Sequence, residues 1–154
     1  MSTRSTIAKL GKDGIIKAVY CHFDGYLEHN GALLNKHYQD EDKIDGLLEQ
    51  GDISSLGKDI GIAVNFYEPT FIEEDDFAYQ CKFYHRDRGE DLMFNEFDSE
   101  TEYIDWACDA SNGFIYLYAY GAWYVYDSFA VRCYGEPTNK FVELEEVLLE
   151  QVVD

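Results

Sequence analysis

The spacing of apolar positions changes several times along the chain. Residues 6–10 and 15–23 carry strand-favouring side chains on either side of the turn signal Lys12, Asp13, Gly14, which predicts an opening β-hairpin. From Tyr26 the spacing becomes helical, with Leu27, Gly31, Leu34 and Tyr38 recurring and Asp24 placed to cap the N-terminus. A second short helix over residues 40–49 turns Ile44, Leu47 and Leu48 inward and stops at Gly51. Glycines and serines break any period between residues 51 and 61, so this stretch reads as a loop. Residues 77–85 alternate aromatics like a strand, and Ser99 with Glu102 forms a capping box before a helix reaching about Asp109. Residues 113–129 are the clearest hairpin, two aromatic strands around Tyr120, Gly121 and Ala122. An amphipathic helix over residues 141–152 closes the chain, with Phe141, Leu144, Leu148 and Val152 on one face and Glu143, Glu146 and Glu150 on another. Strands arrive in hairpins and helices in blocks. The expected fold is α+β, a mainly antiparallel sheet built from hairpins with three to four helices packed on it, in a single globular domain over residues 1–154.

Composition adds a sign. Hydrophobic residues make up 46% and aromatics 16%, so the formal charge of −19 belongs to a folded protein and not to a solvating tail. Such acidity repels nucleic acid and anionic membrane, which argues against direct nucleic-acid binding. No apolar run has signal-peptide or membrane-span length, so the expectation is a soluble protein of the cytoplasm. Cys21, Cys81, Cys108 and Cys133 are widely spaced with no C-x-x-C pair, which reads as four reduced, mostly buried thiols.

The acids cluster. From Glu68 to Asp109 stand Glu68, Glu73, Glu74, Asp75, Asp76, Asp87, Glu90, Asp91, Glu96, Asp98, Glu100, Glu102, Asp105 and Asp109, against Lys82, Arg86 and Arg88. A compact chain of this length is roughly 40 Å wide, and duplex DNA carries about 23 charges over that distance. A charge of −19 is of the same order, so an acidic surface that competes for a nucleic-acid-binding protein is physically reasonable. Its residues would be Glu73, Glu74, Asp75, Asp76, Glu90, Asp91, Glu96, Asp98, Glu100, Glu102 and Asp105. Plain solvation of helix and loop faces is the competing explanation.

Two His-x-Asp segments carry the other candidate chemistry. In strands, His22 with Asp24 and His85 with Asp87 would each present an imidazole and a carboxylate on one face. Side by side, such strands would offer two histidines and two carboxylates to a metal, with His37 nearby, although no helical H-E-x-x-H context supports a metal centre. Arg4, Arg86 and Arg88 beside these histidines, with Tyr26, would instead suit a nucleotide phosphate. Ion pairing of the arginines with neighbouring acids is the ordinary outcome. No nucleophile elbow or Walker loop is present, and the sequence implies no cofactor and favours a non-enzyme.

The segments MSTRSTIA, YCHFDGYLEHNGALLNKHY, LLEQGDISSLG, FYHRDRGED and AYGAWYVY resemble, in that order, a functionally uncharacterised family of small acidic proteins encoded by bacteriophages and prophages. The family pattern reads Y-C-H-W-D-G-Y followed by proline; here Phe23 stands for the tryptophan and Leu27 for the proline. The resemblance implies a phage accessory protein in the bacterial host cytoplasm, and by analogy an inhibitor of a host defence or nucleic-acid-handling protein, with DNA mimicry as its mechanism. The alternative is a protein that binds or hydrolyses a nucleotide defence signal through Arg4, His22, Asp24, Tyr26, His85, Arg86, Asp87 and Arg88. A third reading is a structural or regulatory component of a phage assembly that uses the exposed face of the 113–129 hairpin as a pairing edge, for which a homo-oligomer would be the sign.

Overall fold

A computed structural model describes residues 3–67, 80–111, 113–128, 131 and 136–152. The opening hairpin is β1 (Ser5–Leu10) and β2 (Ile16–Cys21), antiparallel with Ile7 opposite Val19. A π-helical turn at Leu27–Gly31 runs into α1 (Ala32–His37), and α2 (Glu41–Glu49) follows with the Asp40 carboxylate accepting from Asp42 N. The chain continues through β3 (Ile53–Ser55), β4 (Lys82–Phe83), α3 (Tyr84–Arg88), β5 (Asn95–Phe97), α4 (Glu100–Ala110), β6 (Phe114–Ala119), β7 (Ala122–Tyr126), β8 (Phe141–Glu143) and α5 (Leu144–Val152).

The eight strands of the described residues form one sheet in the order β4-β3-β2-β1-β6-β7-β8, with β5 also on β2. Only β1–β6 and β2–β3 run parallel among these pairings, so the α+β, mainly antiparallel expectation holds. Among the described residues five α-helices accompany the sheet where three to four were expected, since α3 is a single extra turn.

The sheet is buried on both faces. Ile7, Val19, Tyr116, Tyr118, Trp123 and Val125 pack with Leu33 and Leu34 of α1, Ile44, Leu47 and Leu48 of α2, and Leu144 and Val147 of α5. On the opposite face Ala8, Ile16, Ala18, Ile115 and Leu117 meet Tyr103 and Ala107 of α4. Burying a large apolar side chain such as Tyr103 contributes about 2 kcal/mol, and its hydroxyl is used as well, donating to Tyr116 O at 2.7 Å. The other core aromatics with polar ends follow suit: Trp123 Nε1 donates to Tyr38 O, Tyr38 OH to Gly57 O, and Tyr116 OH to Gly25 O. Buried polar atoms are costly unless bonded, so these contacts fix how the helices seat on the sheet.

Several expectations change. The 51–61 loop contains β3, which gains strand geometry from pairing with β2 and not from its own pattern. The strand expected over residues 77–85 shrinks to β4; residues 77–79 lie outside the described residues, and Tyr84 and His85 open α3. The closing helix starts three residues late because Phe141–Glu143 pairs with β7. The second hairpin turns on Tyr120 and Gly121 alone, with Ala119 paired to Ala122. Its strands are both occupied, β6 by β1 and β7 by β8, so among the described residues it offers no free pairing edge. Cys21 and Cys81 are buried thiols, but Cys108 is exposed; Cys133 lies outside the described residues. No described helix is long and apolar enough to cross a membrane.

Candidate functional site

The His-x-Asp segments follow β2 and β4, which are not neighbours in the sheet. Cys21 pairs with Ile53 and Ile53 with Phe83, so β3 lies between them. At a strand spacing of ~4.8 Å their backbones are roughly 10 Å apart. Neither segment is a strand. His22 lies just past β2, and Asp24 is exposed with φ +56°, which breaks the alternation. It does not cap the helix: Tyr26 holds that position without a side-chain bond, and Asp24 contributes its carbonyl to Asn30 N. The wider π turn sets Asn30 inward, where its amide donates to Ser5 Oγ, Cys21 Sγ and Phe23 O, each at 3.3 Å.

His85 and Asp87 lie on α3, where residues two apart point to different sides. His85 is exposed and its Nδ1 is 2.7 Å from Glu90 O. The side chain of Asp87 is buried: it receives Arg86 Nε and Nη2, Phe83 N and Val64 N. Burial alone would push its carboxyl up, yet Arg86 and the two backbone donors outweigh it and hold it below the usual range. Arg86 also donates to Ile60 O, Gly61 O and Cys81 O. The Arg86–Asp87 pair is therefore a clamp on the 60–64 segment, not a free phosphate fork. Arg88 lies against both the Phe66 and Tyr84 rings, 4.7 and 4.9 Å from their centroids, and pairs with Glu90.

What survives of the first segment is smaller. His22 Nδ1 is 2.8 Å from Tyr20 OH. Partial burial first, and the Arg4 guanidinium second, lower the His22 pKa. Arg4 is held nearby by its backbone: its carbonyl accepts from Phe114 N, and a Cβ at Gly113 would lie 2.1 Å from that oxygen. Tyr26 is exposed, its ring 6.1 Å from that of His29. Across β3, burial raises the Tyr84 pKa and a Ser54 hydrogen bond opposes it. Tyr20, Ser54, Phe66 and Tyr84 were not legible as site residues: Tyr20 and Tyr84 stand near His22 and Arg88 in sequence but carried no signal, and Ser54 and Phe66 come there only through the fold. Among the described residues no group of three or more His, Cys, Asp or Glu is placed to hold a metal.

The acidic surface fares differently. Glu73, Glu74, Asp75 and Asp76 lie outside the described residues. Glu90, Asp91, Glu96, Asp98, Glu100, Glu102, Asp105 and Asp109 are all exposed, and no lysine or arginine occurs in the sequence from Gly89 to Val131. Two have local duties: Glu90 pairs with Arg88, and Glu102 donates its N–H to the Ser99 Oγ cap while its carboxylate reaches back past Ser99 to accept from Asp98 N. The stretch also exposes Leu92, Met93 and Phe94, at 43%, 54% and 37%. Among the described residues, besides Arg88, Lys17 approaches it from outside, its Nζ 4.3 Å from the Phe94 ring centroid.

No protein-family model matches the chain, and no curated protein or solved structure matches it.

Proposed function

We propose that the protein is a non-enzymatic binding module whose 90–109 stretch docks on a basic surface of a host nucleic-acid-handling or defence protein, its carboxylates standing in for phosphates. One observation carries this reading: eight exposed acids without an intervening base surround three exposed apolar side chains in a single stretch of chain. Charge supplies steering and exclusion of wrong partners, while apolar anchors supply the desolvated centre that a stable interface needs. On α4, acids three and four residues apart repeat at ~5–6 Å, close enough to meet a row of partner lysines and arginines. The resemblance to small acidic phage proteins fits an anti-defence role for such a module.

The competing nucleotide reading loses its strongest residues, since Arg86, Asp87 and Arg88 are committed to internal contacts. The test is affinity capture from bacterial lysate with wild type and a Glu96→Lys, Asp105→Lys, Asp109→Lys variant, which leaves the cap formed by Ser99 and Glu102 intact. Wild type should retain a nucleic-acid-binding protein that the variant does not. Equal retention by both would remove this surface from consideration.

A further inference from the structure

The α4 face of the sheet is incompletely covered. Beyond the N-terminal end of α4 lies a groove of about 140 Å³ lined by Glu100, Leu117, Ala119, Tyr120, Tyr124 and Phe141. Drug-sized ligands occupy pockets of ~300–1,000 Å³, so this groove has the scale of one side chain. Its floor is low because Ala119 pairs with Ala122, and its walls are aromatic. Glu143 stands directly across from Tyr124 in the sheet and is exposed, so a second carboxylate joins Glu100 in the same neighbourhood.

Tyr120 at the rim is the anomaly. It is 85% exposed with φ +52°, followed by Gly121 at +79°. A two-residue turn of this hand favours asparagine, aspartate or glycine at its first position, and a bulky ring there is strained without any packing in return. Strain kept at an exposed aromatic points to a role outside the free fold.

We infer that this groove receives an arginine side chain of the partner, the guanidinium lying against Tyr120 and Tyr124 and pairing with Glu100. Arginine suits the site better than lysine because its planar, weakly hydrated cation stacks on rings and binds carboxylates in a fork. The inference rests on the acidic-surface reading and gives that surface a specific anchor, continuous with α4 through Glu100.

The probe is an acetylated hexa-arginine amide, titrated at low salt into the full chain while aromatic NMR shifts of Tyr120, Tyr124 and Phe141 are followed. Saturable shifts at these rings are expected, with hexa-lysine binding there several-fold more weakly. Glu100→Gln should weaken the response roughly two- to fivefold. Tyr120→Asn, which suits the turn and should raise the melting temperature, should weaken it by a similar factor. A Glu96→Gln, Asp105→Asn, Asp109→Asn variant should lower overall affinity yet keep the ring shifts. Shifts confined to residues 90–109, or equal responses to hexa-lysine, would overturn the groove while leaving the acidic surface standing; no response anywhere would overturn both.

Discussion

At the residue scale the two His-x-Asp segments share a spacing and nothing else. His22 and Asp24 follow a strand that ends at Cys21, with Asp24 itself left-handed, whereas His85 and Asp87 sit on a single helical turn closed by Gly89 at φ +77°. The spacing alone could not separate these cases, although Gly89 was a legible helix-stop signal. Arg86 and Asp87 now predict stability rather than binding. Arg86→Ala strands a buried carboxylate and should cost about 3 kcal/mol in urea denaturation, while His85→Ala, at an exposed site, should cost under ~0.5 kcal/mol; similar losses for both would contradict the clamp. His22 makes a second prediction. Its lowered pKa keeps it neutral in the folded state, so its contribution to stability is present above the ordinary value of 6.5 and is lost as pH falls through the folded value. An NMR titration should place its midpoint below 6.5, and Arg4→Ala should raise that midpoint only partway, because burial is the larger cause.

At the scale of elements, long periodic segments were readable and short ones were not. α2, α4 and both hairpins follow their apolar spacing and their caps, Asp40 and Ser99. β3 and β8 have three residues each, too few to show a period, and owe their form to neighbours across the sheet. For the site, the acids of 90–109 were plain in the sequence, but their pairing with exposed Leu92, Met93 and Phe94 required burial to be known. Helix α4 carries a conflict worth using: its last turn holds no base, and Asp109 stands at the negative end of its dipole. Asp109→Lys should therefore stabilise the fold by about 0.3–1 kcal/mol while weakening partner binding, a combination thermal denaturation and capture would reveal together. A variant that binds as wild type would make these acids mere solvation.

For the whole molecule, a charge of −19 sets folding and binding against each other. Self-repulsion weakens the compact state at low salt, and the same field speeds encounter with a basic partner. Raising salt should accordingly increase the melting temperature and slow association. The measurement closest to the central claim is competition: the captured host protein, held on the immobilised chain, is challenged with duplex DNA at constant ionic strength. Displacement by DNA in proportion to the partner's own DNA affinity is the predicted result. A partner that stays bound while it also holds DNA would contradict the claim that these carboxylates take the place of phosphates.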